Sequence, residues 1–453
     1  GAGALGWASG AQVWADGWTA GPLERQHTPG RPVHLEGELT RGEGFWQQGF
    51  PPVGEVLDRA RSSGLFSEMD PAWESHEGRA MGGFIAGCVL SGGLGNANGT
   101  SPLPSERRRA VLVVGGQHGR EWLSMTSPLC AAEIVASRRK LDPVNACEDT
   151  DGIDLIVVPV LNPDGLHFSQ EIFSFWRKNR SPPHQGAGPA EGCSGVDLNR
   201  NWPLLPIDNG VGQSDNPCSN TYSGSYPLSE PESAGFVEWL DSAEAAGYDV
   251  VGFLDIHTYG QIVLGSYAST DRTATNAATY EEAGMEIVKA MSKHRGLIYD
   301  YHTGSAEGEV PLTSGTLQDW MHGRGKINPA LPSHPRQGPF LSNSPSPLFL
   351  SSPLLVWDRR ELARKNRLLE GAEAGGLSRG CFWARRVGVS AGALAGALSY
   401  TIELGPPSLN EERGIGGFVV PSSQIWPVCQ ELADGIDAFM DFFSDRTASA
   451  ELL

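Results

Sequence analysis

A histidine and a glutamate with the spacing of metal ligands follow an apolar run. The run Val111–Val114 leads into two glycines, and His118 and Glu121 then stand three residues apart. On the first turn of a helix, side chains at this separation point to the same side. An imidazole nitrogen and a carboxylate oxygen both suit Zn²⁺. The spacing predicts half of a zinc site, although a His and a Glu on a helix surface give the same pattern.

Four further polar groups follow in the chain. Each has an ordinary explanation on its own, such as a surface arginine, a turn aspartate or a buried histidine at the end of a strand. A glutamate in an apolar strand costs free energy unless it has a purpose. The groups are Trp176–Arg180 (WRKNR), Gly195–Trp202 (GVDLNRNW), Asp255–Tyr259 (DIHTY) and Thr401–Leu404 (TIEL).

In this order, the five motifs resemble those of the zinc metallocarboxypeptidases of the pancreatic carboxypeptidase A/B type. The resemblance covers roughly residues 75 to 322 and 396 to 443. It implies a single zinc ion held by His118, Glu121 and His257, with a fourth position left for water, as in catalytic sites. It also implies that Asp197 accepts a hydrogen bond from His118 and so fixes the tautomer of that ligand.

The resemblance assigns the catalytic steps to two side chains. Glu403 is the expected general base, which takes a proton from zinc-activated water and passes it to the leaving amine. Arg177 is expected to stabilise the oxyanion together with the metal. Asn199 and Arg200 match the clamp for the free C-terminal carboxylate of a substrate, which a guanidinium can hold with two parallel bonds.

Three more positions are expected to contact the substrate. Arg120 matches a position that binds the substrate backbone, and Tyr259 is also expected in the substrate site. Gln318 falls where the family sets its side-chain preference. Because Gln318 carries no charge, we expect neutral polar or apolar C-terminal residues to be cleaved better than Lys or Arg.

The chain departs from the family pattern at two positions. Pro311 stands where the family has a mobile tyrosine, and Ser174 replaces a substrate-binding arginine. The matching bond to Gly405–Pro406 is cis in the family, and a proline makes that isomer less costly. We therefore expect a cis Gly405–Pro406 bond.

The fold class expected is α/β, with a mixed central β-sheet, helices on both faces and a single catalytic domain. Apolar runs alternate with helical periodicity, which is typical of such folds. The candidate chemistry falls at the C-terminal ends of strands, where these sheets bind ligands. The expected strands are Met81–Leu90, Val111–Val114, Ile153–Leu161, Tyr248–Ile256 and Leu398–Leu404, and the expected helices are Pro51–Ser67, Ser124–Ser137, Pro231–Ala246, Ala277–His294 and Gln424–Phe443.

The expected catalytic domain, residues 51–453, is preceded by one distinct segment and interrupted by another at about residues 323–393. Residues 1–50 show no clear periodicity and are left unassigned, with the remnant of an inhibitory propeptide as one interpretation. Residues 323–393 are rich in Pro and Ser and then basic, with 11 Lys/Arg against 4 Asp/Glu between Arg324 and Arg386. A surface insertion and translated non-coding sequence both fit, and the abrupt change of composition favours the second.

Composition limits the partners and the compartment. The formal net charge of -19 argues against binding to nucleic acid or to an anionic membrane. The sequence has no apolar run of ~18 residues, so no membrane span is expected. Cys193 and Cys218 flank a polar loop and match the disulfide of the family, and Asn98–Thr100 is a glycosylation sequon. These features favour a secreted or vacuolar/lysosome-like monomer.

The leading functional hypothesis is a zinc carboxypeptidase that acts on the C-termini of peptides or proteins. Two alternatives stay open. One is a zinc amidohydrolase that acts on another substrate, and the other is a catalytically impaired, zinc-binding pseudoenzyme. The Asn199–Arg200 pair favours the carboxypeptidase, and the presence of both Glu403 and Arg177 argues against the pseudoenzyme.

Overall fold

The structure is a computed structural model of the chain. It describes residues 44–90, 107–141, 152–182, 193–205, 208, 210–270, 274, 276–294, 299–303, 311–324, 397–405, 417–418 and 420–444. Almost all of the predicted insertion, from residue 325 onward, lies outside these residues. So does Pro406, and the expected cis Gly405–Pro406 bond therefore stays a prediction.

A mixed sheet of eight strands forms the centre of the fold. The strands are β1 Ser67–Glu74, β2 Ala80–Ala86, β3 Arg108–Gly115, β4 Ile153–Val158, β5 Tyr248–Thr258, β6 Ile262–Gly265, β7 Asp300–Thr303 and β8 Leu398–Leu404. Their spatial order is β1-β2-β4-β3-β5-β8-β6-β7. The inner pairs β4–β3, β3–β5 and β5–β8 are parallel, whereas β2 pairs antiparallel with β4 and β6 pairs antiparallel with β8.

The central strands are apolar on both faces because each face covers a separate core. Successive side chains of a strand point to opposite sides of the sheet. In β3, Val111 and Val113 belong to one cluster of buried residues, and Leu112 and Val114 belong to the other. This arrangement explains the nearly continuous apolar runs, which are typical of strands buried on both faces.

Helices cover both faces of the sheet, as expected from the sequence. The helices are α1 Val53–Ser62, α2 Trp122–Arg139, α3 Pro163–Glu171, α4 Pro231–Ala246, α5 Ala277–Met291, α6 Leu317–Gly323 and α7 Ile425–Ser444. On one face of the sheet, α2, α5 and α7 pack with the cluster that contains Val111, and on the other face α4 and α6 pack with the cluster that contains Leu112. The mixed sheet and the single layered domain confirm the predicted fold class.

The main difference from the predicted elements follows β4. The expected strand extends to Leu161, but β4 ends at Val158 and the turn residues begin a helix instead. The side chain of Asn162 accepts a hydrogen bond from the backbone nitrogen of Gly165 at 2.8 Å, and Pro163 occupies the first turn. Asparagine as N-cap followed by proline favours the start of a helix, which the expected elements did not include at this place.

Two disulfides join cysteines that both lie among the described residues. The expected pair Cys193–Cys218 is present, which confirms that prediction. A second bond joins Cys130 of α2 to Cys429 of α7, across 299 residues of sequence. No pattern in the sequence predicts this pairing, because the two cysteines lie on helices far apart in the chain.

Residues 44–50, which the sequence left unassigned, pack against the domain. Trp46 is fully buried, and its indole nitrogen donates to the carboxylate of Glu133 at 2.8 Å. Phe50 contacts the ring of Trp122.

Among the described residues, no helix combines the length and apolar character that a bilayer span requires.

Candidate metal and catalytic site

Three neighbouring parallel strands end at one edge of the sheet and bring the site together. His118 follows the end of β3, His257 is the penultimate residue of β5, and Glu403 is the penultimate residue of β8. Strand β5 pairs with β3 on one side and with β8 on the other. Because the carboxyl ends of parallel strands meet at the same edge, residues from all three reach one site.

His118 and Glu121 do not lie on a helix, contrary to the expectation from their spacing. Helix α2 begins one residue later, at Trp122. The two residues instead close a turn, in which the nitrogen of Glu121 donates to the carbonyl of His118 at 3.1 Å. The nitrogen of Gly119 donates to the carbonyl of Arg177 at 2.9 Å, which ties this turn to the segment that carries Arg177. The two side chains nevertheless converge.

Three buried side chains face one another at distances that suit a single metal ion. The Nδ1 atom of His118 lies 2.8 Å from Oε1 of Glu121 and 3.2 Å from Nδ1 of His257. Nδ1 of His257 lies 3.0 Å from the other carboxylate oxygen, Oε2 of Glu121. Tetrahedral zinc with bonds of ~2.0–2.1 Å separates its ligands by ~3.3 Å. Two imidazole nitrogens and one carboxylate group therefore fit zinc in number, type and spacing.

Carboxylates on the far sides of both imidazoles complete the ligand geometry. Oδ1 of Asp197 lies 3.0 Å from Nε2 of His118, as the sequence predicts. Oδ2 of Asp255 lies 3.1 Å from Nε2 of His257, and the sequence analysis did not assign this role. Such partners hold each ring with Nδ1 toward the metal. Residues two apart on a strand share a face. The spacing of Asp255 and His257 in the sequence therefore indicates that their side chains lie on the same face of β5.

The charges around the donors also favour a cation. Burial raises the pKa of Glu121, but His118 and His257 together lower it by more, so the net pKa is well below its ordinary value. Burial lowers the pKa of His257, but Asp255 and Glu121 raise it well above the ordinary value. The carboxylates that stabilise positive charge on the imidazole stabilise a bound metal in the same way.

Glu403 faces the cavity beside the metal donors. It pairs in register with His257 across the β5–β8 ladder. The net pKa of Glu403 is raised to about 7. Burial is the main cause, the charge of His257 acts against it, and the charge of Glu121 adds to it. A carboxyl group with a pKa near neutrality can both accept and release a proton, which suits a general base.

Most of the predicted site residues line one cavity of about 540 Å³. Two predicted substrate-binding residues, Arg120 and Tyr259, are not among the described residues that line it. Both contact Phe418 instead. The guanidinium of Arg120 lies 4.4 Å from the centre of that ring, and the ring of Tyr259 lies 4.8 Å from it. The predicted residues that do line the cavity are His118, Glu121, Arg177, Asn199, Arg200, His257, Gln318 and Glu403.

Asp197 connects the metal donors to the cationic wall of the cavity. Its Oδ1 atom accepts from the backbone nitrogen of Asn199 at 3.1 Å as well as contacting His118. Its Oδ2 atom lies 2.9 Å from the Nε and the Nη2 atoms of Arg177. Burial raises the pKa of Asp197, but Arg177 and Arg200 lower it well below the ordinary value. One ionised carboxylate therefore orients both a metal ligand and an arginine.

Gln318 lies buried in the wall of the cavity with its amide already hydrogen-bonded. Its Nε2 atom donates to the carbonyl of Leu264 at 2.9 Å, and its Oε1 atom accepts from the hydroxyl of Thr401 at 2.7 Å. Pro311 also lines the cavity. This part of the lining is neutral.

Comparison with known families identifies the group to which the chain is related. A model of the family described as zinc carboxypeptidase matches residues 68–341. The chain belongs to the zinc carboxypeptidase family. The matched range includes His118, Glu121 and His257 and ends before Glu403, whose place in the site rests on the geometry of β8.

The curated relatives described below match this chain over less than half of their own length. Carboxypeptidase A4 of Mus musculus is 31% identical over 220 residues, which are 49% of this chain and 49% of that protein. The inactive metallocarboxypeptidase ecm14 of Talaromyces marneffei is 32% identical over 247 residues, 54% of this chain and 38% of that protein.

Solved structures share the fold at lower sequence identity. The crystal structure of thrombin activatable fibrinolysis inhibitor matches with a TM-score of 0.58 and 19% identity, over 89% of this chain and 76% of that one. The carboxypeptidase A from Helicoverpa armigera matches with a TM-score of 0.53 and 20% identity, over 88% and 72%. These similarities agree with the metallocarboxypeptidase fold.

Proposed function

We propose that this zinc carboxypeptidase homologue hydrolyses the C-terminal peptide bond of peptides or proteins, with a single zinc ion per chain. The observation that supports this proposal most directly is one cavity that contains three kinds of groups. They are the metal donors, the carboxyl group of Glu403 with a pKa of about 7, and the two cationic side chains of Arg177 and Arg200. Peptide hydrolysis at a chain end requires each of them.

His118, Glu121 and His257 would hold the metal. When bound, zinc supplies a Lewis acid and makes water a better nucleophile near neutral pH. Glu403 takes the proton from the attacking water and delivers it to the nitrogen of the leaving residue. Arg177, held by Asp197, donates hydrogen bonds to the oxygen that gains negative charge.

Arg200 is the expected partner of the substrate's terminal carboxylate. Burial lowers the pKa of Arg200 to about 10 and the charge of Asp197 opposes this shift, so the side chain stays cationic at neutral pH. The side chain of Asn199 is held on both sides, because its Oδ1 atom accepts from Leu317 and its Nδ2 atom lies 3.2 Å from Nε2 of His257. A fixed amide and a guanidinium together select a free chain end.

Gln318 is expected to set the preference for the terminal side chain. Its amide is bonded to Leu264 and Thr401, so it offers neither a charge nor an unsatisfied acceptor. A terminal Lys or Arg would lose hydration there without gaining a carboxylate partner. We therefore expect neutral terminal residues to be preferred.

A second candidate function is a zinc-binding protein without turnover. The similarity to a relative named as an inactive metallocarboxypeptidase favours it. The position of Glu403 in the cavity argues for turnover instead. The two candidates differ in one measurement, because both bind zinc and only one releases a C-terminal residue.

The test is hydrolysis of a panel of N-blocked dipeptides that differ in the C-terminal residue, with and without a zinc chelator. We expect release of the terminal amino acid that stops with the chelator and returns with added zinc. Zinc binding without any release supports the inactive candidate. Release from substrates that lack a free carboxylate supports a zinc amidohydrolase.

The cellular setting is part of the same proposal. The disulfides Cys130–Cys429 and Cys193–Cys218 favour an oxidising compartment, so the protein is expected to be secreted or vacuolar/lysosome-like. It is also expected to act as a monomer. Its partners are the C-termini of peptides or proteins, without nucleic acid.

A further inference from the structure

Two consecutive residues of one loop hold Arg200 at both ends. The Nε atom of Arg200 donates to the carbonyl of Gly212 at 3.0 Å, and the backbone carbonyl of Arg200 accepts from Nε2 of Gln213 at 2.8 Å. A third bond runs from Nη1 to the carbonyl of Asn199 at 2.7 Å. These contacts occupy two of the five N–H groups of the guanidinium. The loop thereby fixes the direction in which the remaining N–H groups point.

The loop itself is fixed against residues 312–314, of which Leu312 and Thr313 also line the cavity. The nitrogen of Ser314 donates to the carbonyl of Val211 at 2.8 Å. Gly212 has a φ of +73°, and a Cβ atom there would lie only 2.6 Å from the carbonyl oxygen of Leu312. Glycine is required because this φ and this close approach both exclude a side chain. Gly212 therefore presents its carbonyl to Arg200 from a firm support.

The amide of Gln213 is wedged between two backbone segments. A Cβ atom at Gly315 would lie 2.3 Å from Nε2 of Gln213 and 2.7 Å from the carbonyl oxygen of Arg200. Gly315 has a φ of +70°, which again favours glycine. Gln213 also lines the cavity, together with Arg200. Its side chain thus joins the cavity wall to the backbone that carries the carboxylate-binding arginine.

The chemistry of the amide suits this position. Glutamine supplies two N–H donors without charge, so it supports Arg200 without adding a second cation that would repel it. Burial already lowers the pKa of Arg200. A loss of the bond would leave the carbonyl of Arg200 without that donor and release one end of the residue.

We propose that Gln213 is a positioning residue that sets Arg200 for recognition of the free C-terminal carboxylate of the substrate. This inference rests on the proposed carboxypeptidase function. It concerns binding of the chain end, because Gln213 contacts neither the metal donors nor Glu403 among the described hydrogen bonds. Its loss should affect KM for substrates with a free carboxylate much more than kcat.

The test compares a blocked dipeptide with its C-terminal amide, using the full zinc-loaded chain. Gln213→Met keeps the length of the side chain and removes the donor. We expect KM for the free acid to rise about tenfold, equivalent to about 1.4 kcal/mol, with little change in kcat and little change for the amide. Gln170→Ala is the matched control, because Gln170 donates to the carbonyl of Pro51 at 3.0 Å away from the cavity. We expect wild-type values for that control.

An unchanged KM in a folded Gln213→Met protein would overturn the proposal, and so would a fall in kcat alone. A measurement of substrate binding without turnover distinguishes this outcome from failure of the proposed carboxypeptidase function. The free acid and the amide are titrated by calorimetry into zinc-loaded Glu403→Gln protein, with and without Gln213→Met. A preference for the acid that falls with Gln213→Met supports the role of Gln213 even if the wild type hydrolyses neither compound. A preference that stays the same overturns it even if the wild type is active.

Discussion

His257 and Glu403 stand directly opposite each other on the parallel strands β5 and β8. This pairing fixes the separation between a proposed metal ligand and the carboxyl group expected to act as base. Paired residues of neighbouring parallel strands project from the same face of the sheet. The backbone ladder, rather than a flexible loop, therefore places Glu403 beside the metal donors.

The first prediction follows from this pairing. Glu403→Gln should bind one zinc ion per chain with wild-type affinity, because Glu403 is not among the three donors. Turnover of a blocked dipeptide should fall by a factor of about 10²–10⁴, the typical contribution of a general base. Metal content and initial rates on the same preparation check both halves. Wild-type turnover in the variant would assign the base to another residue.

The second prediction concerns pH. Glu403 accepts a proton only when ionised, so kcat/KM should fall as pH falls through the pKa of Glu403. Burial raises that pKa from 4.5 to about 7, while the positive charge of His257 lowers it and that of a bound metal would do the same. The acidic limb is therefore expected between 4.5 and about 7. A pH series of kcat/KM checks the limb, and a rate that increases on acidification through this range would contradict the assignment.

The third prediction concerns Asp255, which lies 3.1 Å from the far nitrogen of His257. Asp255→Asn should weaken zinc binding by about 10–100-fold, as is typical for partners of metal-bound histidines. Competition with a chelator of known affinity gives the measurement. Asp434→Asn is the matched control, since Asp434 lies 2.8 Å from a ring nitrogen of His294 away from the site. Equal zinc affinities in the two variants would mean that Asp255 does not support the ligand.

The sequence predicts the central strands and the residues that follow them well, because both depend on local pattern. An apolar run buried on two faces is recognisable without its neighbours, as in β5 and β8. The four-residue strands β6 and β7 were not predicted. They are held by hydrogen bonds to each other and, for β6, to β8, and such pairing leaves little periodicity in a short segment.

The site shows the same division between local pattern and tertiary contact. The identities of the metal donors could be inferred from order and spacing, whereas the spacing of Asp255 and His257 indicates a shared strand face but not the role of Asp255 as the partner of His257. That role depends on the orientation of the imidazole between Asp255 and Glu121, which only the packed structure defines. The support of Arg200 by Gln213 depends on two loops that meet in space, and the intervening sequence carries no signal of that contact.

The fourth prediction concerns the disulfide between Cys130 and Cys429. Both residues are fully buried, and the bond joins α2, which follows the ligand Glu121, to α7. The double variant Cys130→Ala, Cys429→Ala should lower the free energy of unfolding by about 2–4 kcal/mol, a typical contribution of a disulfide. Denaturant unfolding of the purified protein measures the difference. A variant of unchanged stability would show that helix packing alone holds α2 and α7 together.

The last prediction concerns the terminal side chain of the substrate. In the wild type, Nε2 of Gln318 donates to the carbonyl of Leu264 at 2.9 Å. Gln318→Glu keeps the size of the side chain but brings a carboxylate oxygen toward that carbonyl. A terminal Lys or Arg can supply the positive charge and the donors that the new carboxylate lacks. The ratio of kcat/KM for Arg-ended over Leu-ended substrates should therefore rise at least about tenfold, or about 1.4 kcal/mol.

The control for this change is Gln170→Glu, which adds the same charge outside the cavity and should leave the preference unchanged. Stability must be measured in parallel, because an unpaired buried carboxylate costs about 1–3 kcal/mol or more. A destabilised Gln318→Glu protein that is stabilised by an Arg-ended blocked dipeptide, but not by a Leu-ended one, would support the same conclusion. A folded variant that retains the preference of the wild type would place the determinant of specificity at another residue of the cavity wall.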